Sequence, residues 1–138
     1  SREHLIIKAK GKVITKVNAN RENVKFIRHK QLHNLEKIYN SGIVEYISAK
    51  CGNPRTIILF GSFARGEDIE KSDVDIAVNT NKKLKWDLKR YEKFLKKDIS
   101  VHELELDEVN KELKANLANG IVLEGSWWKI LSFFWIMR

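Results

Sequence analysis

A single cysteine, Cys51, stands among the 138 residues of this chain. One thiol excludes an intramolecular disulfide and any zinc site built from several cysteines. No run of about 18 apolar residues occurs, which excludes an ordinary transmembrane helix. The opening SREHLIIKAKGK lacks the apolar stretch of about 7–15 residues that marks a secretory signal. Internal repeats and low-complexity tracts are also missing. These absences set the expectation of a cytoplasmic protein in a reducing compartment, without a membrane partner.

What is present is a basic, core-forming composition. Twenty-six Lys and Arg stand against 18 Asp and Glu, a formal charge of +8. Such a balance suits nucleotides, nucleic acid or an acidic protein surface, and equally a lysine-rich face that only confers solubility. With 43% hydrophobic and 32% charged residues, the chain can pack a core, and its length fits one domain.

The pattern divides the chain into four stretches. Residues 1–20 read as a short β-hairpin, since the apolar runs of LIIKAKGKVITKV flank a glycine turn at Lys10-Gly11-Lys12. Residues 21–41 read as a linking helix, with Val24, Ile27, Gln31, Leu35 and Ile38 at helical spacing, Asn20 as N-cap and Ser41-Gly42 as its end. Residues 42–125 carry the main domain, and residues 126–138 an aromatic tail. Within the domain, Ile43, Val44, Tyr46 and Ile47 predict a short helix ending near Cys51-Gly52. The apolar run Thr56–Phe60 predicts a buried strand, and the alternating Asp73–Val78 a strand with one apolar face. Leu84, Leu88, Tyr91 and Leu95 predict a helix over 83–97. Residues 99–104 predict a third strand. Asp107 is placed to cap a helix bearing Val109, Leu113 and Leu117, closed by Gly120 before a short apolar piece at 121–123. The tail holds Trp127, Trp128, Phe133, Phe134 and Trp135. It reads as a docked helix, an interfacial anchor or an altered C-terminus, and exposed tryptophans there predict self-association into a homo-oligomer.

The chemistry concentrates in residues 60–78. A buried strand ends in Gly61-Ser62, where the missing Cβ lets a ligand approach the backbone and the serine offers a hydroxyl and an N–H. A short helix after it would favour an anion such as phosphate. Asp73 and Asp75 follow, two apart on a strand and therefore on one face. Two carboxylates so placed repel each other, and a divalent cation removes the conflict. All-oxygen ligands suit Mg²⁺, which is commonly held by one or two carboxylates together with substrate phosphates. An isolated D-x-D is more often a solvated edge, but the strand–Gly–Ser unit before this one turns the balance toward nucleotidyl transfer.

The stretch GSFARGEDIEKSDVDI resembles the DNA polymerase β-like nucleotidyltransferase superfamily, and most closely its minimal nucleotidyltransferases of archaea and bacteria. Their pattern is a hydrophobic strand, G-S-x-A-R-G, and then S-D-I-D-L. The resemblance spans about residues 42–123. It implies an α/β (α+β) fold with a small mixed β-sheet flanked by helices. It also implies binding of a nucleoside triphosphate, with ATP expected, and two Mg²⁺ ions. Gly61 and Ser62 would hold phosphates, and Asp73 and Asp75 would ligate metal. Arg65 would support the phosphates or pair with an acid within the motif. The family's third acid corresponds to Asp98. Sliding the alignment by two places Ser100 there instead, and His102 is the second candidate as a metal or acceptor neighbour. Asp98, Ser100 and His102 share one strand face, and Glu103 points the other way.

The resemblance extends more loosely to archaeal proteins in which a winged helix-turn-helix precedes this domain, and it implies that the hairpin of residues 1–20 is a wing-like remnant. Lys8, Lys10, Lys12 and Lys16 would then touch nucleic-acid phosphates without sequence specificity. The function implied is Mg²⁺-dependent transfer of AMP from ATP to an acceptor hydroxyl, as in paired toxin–antitoxin systems where the acceptor is a HEPN-domain partner. The alternative is an antitoxin-like or DNA-linked binding module with weak catalysis.

Overall fold

The computed structural model describes residues 12–54 and 56–125, with side chains described from residue 22 onward. Helix α1 spans Lys12–Ser41, about 45 Å at 1.5 Å per residue. It buries Asn34 and Ile38 and half-buries Ile27, Lys30, Gln31 and Leu35, the stripe that a 3.6-residue period lays along one face. Residues 12–17, expected as the second arm of a hairpin, are instead the first turns of this helix. No glycine or proline interrupts 12–41, so the helix propagates through Val13, Ile14, Thr15 and Val17, whose β-branches cost it only tenths of a kcal/mol each. Lys12 and Lys16 therefore lie on a helix, not on a wing. Residues 1–11 and the aromatic tail at 126–138 lie outside the described residues.

Ser41 ends α1: its hydroxyl donates to the Ile38 carbonyl at 2.6 Å and accepts from the Ile43 N–H at 3.2 Å. Gly42, at φ +81°, turns the chain into α2 (Ile43–Cys51), which buries Ile43, Val44, Ile47 and Cys51. Gly52 closes it in the left-handed region that glycine occupies without strain.

Four strands follow: β1 (Thr56–Phe60), β2 (Val74–Asn79), β3 (Ile99–Leu104) and β4 (Ile121–Gly125), in the order β3-β2-β1-β4. β1 runs antiparallel to both β2 and β4, and β3 runs parallel to β2. That mixed sheet agrees with the expected fold class. Every residue of β1 is buried because β1 has a core on each side. Ile57 and Leu59 enter the larger cluster with Ile38, Ile47, Phe63, Val74 and Ile76. Ile58 and Phe60 enter a smaller one with Ala77, Leu106 and Leu117. A continuous apolar run is the pattern such a strand must have.

Two further helices differ from expectation. The helix expected over 83–97 is only α4, Lys89–Leu95. Upstream of it, Leu84, Trp86 and Leu88 all pack against the larger core at every second residue. The Glu103 carboxylate takes the Leu84 N–H at 2.6 Å, and the Tyr46 hydroxyl takes at 2.8 Å the Asp87 N–H that a helix begun at residue 83 would have turned back on itself. The last helix, α5 (Lys111–Ala118), is capped by Asn110, not Asp107: the Asn110 side chain accepts from the Leu113 N–H at 2.8 Å. Among the described residues, no helix is long and apolar enough to cross a membrane.

Candidate nucleotide site

β1 ends in a turn into the short helix α3 (Gly61–Ala64). Gly61 has φ +80°, and a Cβ built on it would lie 2.6 Å from Oδ2 of Asp75. The cause is the register: Phe60 pairs with Asp75, which sets the next residue of β1 against the start of β2. The turn therefore requires glycine twice, for its backbone angle and for the carboxylate beside it. Ser62 is half-buried in the first turn of α3, and its carbonyl accepts from the Glu67 N–H at 2.9 Å. The first N–H groups of α3 have no acceptor within the helix. Arg65 is exposed, with Nε 3.5 Å from a Glu67 oxygen. Of its two expected roles, the structure displays the pairing within the motif.

Asp73 is exposed and lies just before β2, and Asp75 is the second residue of that strand. Asp75 Oδ1 lies 3.2 Å from Nε2 of His102 on β3, and the His102 ring meets Phe60 edge-on at 5.2 Å. Asp98 is exposed at the entry to β3, and its carbonyl accepts from the Val74 N–H at 2.8 Å. Asp73 and Asp98 line one cleft of about 410 Å³ together with Ser72, Lys93 and Lys96. Ser100 pairs with Asp75 across the parallel ladder. Glu103 faces the opposite side, where it holds the Leu84 N–H.

Behind the motif lies a polar hub. Asp68, only 7% exposed, accepts from Asn34 Nδ2 at 2.9 Å and sits 3.4 Å from both Lys30 and Lys97. Burial alone would raise the pKa of this carboxyl. The Asn34 hydrogen bond and the charges of Lys30 and Lys97 outweigh burial and hold it below the ordinary carboxylate value. Asn34 Nδ2 also donates to the Phe63 carbonyl at 3.0 Å, and Lys97 Nζ to the Ile69 carbonyl at 2.7 Å. Gly66 presses on α1, where a Cβ would lie 2.7 Å from the Ile27 carbonyl. Sequence reasoning missed Asn34, Asp68, Lys30 and Lys97. The available signal was Asn34, an amide seven positions after Ile27 and four before Ile38 on the inward stripe of α1.

Among the described residues, no three His, Cys, Asp or Glu side chains converge as a ready metal cage. The donor set fits a metal of another kind. Asp75 presents hard oxygen atoms beside the Gly61 turn, and Asp73 lines the neighbouring cleft with Asp98; Mg²⁺ takes such oxygen donors and characteristically completes its shell with phosphate and water.

Residues 41–126 match the polymerase beta nucleotidyltransferase family. No curated protein and no solved structure matches the chain.

Proposed function

This chain belongs to the polymerase beta nucleotidyltransferase family, and we propose that it transfers AMP from ATP to an acceptor hydroxyl, with a partner protein of the HEPN type as the acceptor. The observation that carries this reading is the contact between Gly61 and the Asp75 carboxylate, which joins the phosphate-binding turn to the acid strand.

In this mechanism Gly61 leaves room for the triphosphate against the backbone, and the Ser62 hydroxyl and the first N–H groups of α3 donate to its oxygens. Asp73 and Asp75 would hold Mg²⁺, which when bound neutralises phosphate charge and makes the acceptor hydroxyl easier to deprotonate. The acceptor oxygen forms a bond to the α-phosphorus as the bond to the bridging oxygen of the β-phosphate breaks, releasing pyrophosphate. The chain contributes mainly position and electrostatics. Asp98, which lines a cleft together with Asp73, would complete the acid set. The net positive charge of the chain favours anionic reactants.

The test is transfer of label from α-³²P-ATP with Mg²⁺ or Mn²⁺, using wild type and Asp73→Ala/Asp75→Ala, with cell lysate as the acceptor source. Label carried by a protein in the wild-type lane alone is the expected result. Label on nucleic acid would replace the proposed acceptor. Absence of both transfer and ATP binding would overturn the reading.

A further inference from the structure

Asp75, the second acid of the D-x-D pair, has an imidazole beside it: Nε2 of His102 lies 3.2 Å from its Oδ1. The contact follows from three register facts. Phe60 on β1 pairs with Asp75 on β2, Ala77 on β2 pairs with His102 on β3, and Ile58 on β1 pairs with Ala77. His102 and Phe60 thus flank β2, on the face carrying Asp75 and Ala77. Ala77 has only a methyl group there, so the imidazole leans over β2 to meet the Phe60 ring edge-on. From that position Nε2 reaches Oδ1 of Asp75 at 3.2 Å. A carboxylate only accepts hydrogen bonds, so Nε2 carries the proton in this contact.

The two oxygens of Asp75 are thereby distinguished. Oδ1 faces His102, and Oδ2 faces the Gly61 turn. The side chains of His102 and Asp75 remain 43% and 30% exposed, so the pair adds little to folding. What it does is select one rotation of the carboxylate.

Resting on the nucleotidyltransferase reading above, we infer that His102 is a positioning residue. It holds Asp75 so that Oδ2 is presented beside the phosphate-binding turn, where it would serve as an oxygen ligand to a divalent cation. Partners of this kind that orient a metal-binding carboxylate commonly change metal affinity by about 10–100-fold when removed. His102→Phe keeps a ring against Phe60 and removes the donor. His102→Gln restores a donor of similar reach.

The experiment titrates Mn²⁺ at fixed α,β-methylene-ATP, which cannot be turned over, and follows the unfolding temperature of the full chain. A parallel metal-free scan separates loss of folding from loss of affinity. His102→Phe is expected to unfold like wild type without metal, yet to need roughly tenfold more Mn²⁺ for half of the rise. His102→Gln is expected to lie close to wild type, and the KM for ATP at saturating Mn²⁺ is expected to stay unchanged. Equal Mn²⁺ midpoints for wild type and His102→Phe would overturn the inference and leave the nucleotidyltransferase reading standing. So would nitrogen hyperfine coupling in the Mn²⁺ spin-echo spectrum that vanishes in His102→Phe, because it would make the imidazole a ligand. No Mn²⁺-dependent rise in wild type would remove both.

Discussion

Asn34 on α1 and Asp68 in the motif loop, 34 positions apart in sequence, are joined by a 2.9 Å hydrogen bond in a buried environment. Asn34 also holds the Phe63 carbonyl, so one amide fixes both sides of the turn that follows Gly61-Ser62. Replacing it with alanine removes a buried hydrogen bond to a charged group and leaves the Phe63 carbonyl with the Gly66 N–H and Asp68 with Lys30 and Lys97. Asn34→Ala is expected to lose about 2 kcal/mol of stability, read as a lower denaturant midpoint at unchanged slope.

The same hub sets a pH dependence. Asp68 has a folded pKa below that of a free aspartate. A depressed carboxyl contributes stability that is complete above the unfolded pKa and is lost as pH falls through the folded one. Stability of the wild type should therefore decline as pH drops below about 4. Asp68→Asn should start lower and lack this part of the decline. Urea melts at a series of pH values between neutral and strongly acidic measure both.

Gly61→Ala tests the glycine turn. A non-glycine residue at φ +80° costs about 1–2 kcal/mol. The new methyl would also push Asp75 aside, since it would sit 2.6 Å from Oδ2. Nucleotidyl transfer should fall by roughly a hundredfold or more, as expected when a reacting group is displaced by about 1 Å. Steady-state transfer rates and thermal melts of the same variant separate the two effects.

Asn110→Ala removes the cap of α5. The expected loss is about 1 kcal/mol, with little effect on transfer, because Asn110 caps the first turn of α5 and that helix packs on the smaller core through Leu113 and Leu117. Chemical denaturation and the transfer assay together check this separation.

Cys51 should react slowly. It is buried, and burial foremost, with the Glu103 charge adding, raises its pKa above the usual thiol value against the opposing effect of Lys82. Since the thiolate is the nucleophile, modification by a disulfide reagent at neutral pH should be slow in the native protein and fast in denaturant.

The fold was readable where one residue pattern admits one structure. Ile57–Phe60 is apolar throughout because β1 is buried on both faces, and residues 99–104 form the strand expected there. The proximity of the Gly61 turn to Asp75 was foreshadowed by the strand–turn–strand order. Leu84, Leu88, Tyr91 and Leu95 misled because a spacing of four is both one helical turn and two steps of an extended chain, and only Glu103 and Tyr46, distant in sequence, decide between them. Residues 12–17 misled because β-branched residues suit strands intrinsically, whereas an uninterrupted helix overrides that preference. The contact of His102 with Asp75 depends on the parallel register of β2 and β3, and the Asp68 hub on how α1 docks. Neither is written in any local window.

The docking of α1 has a consequence for the boundaries of the folding unit. The family match begins at residue 41, yet Ile27, Lys30, Gln31, Asn34 and Ile38 all precede it and close the back of the motif loop. A chain trimmed to residues 41–126 would keep every motif residue. It would also leave Asp68 facing water where Asn34 and Lys30 had been, and uncover the flank of Phe63. The smallest piece that can hold the motif in this shape is therefore longer than the piece by which the family is recognised.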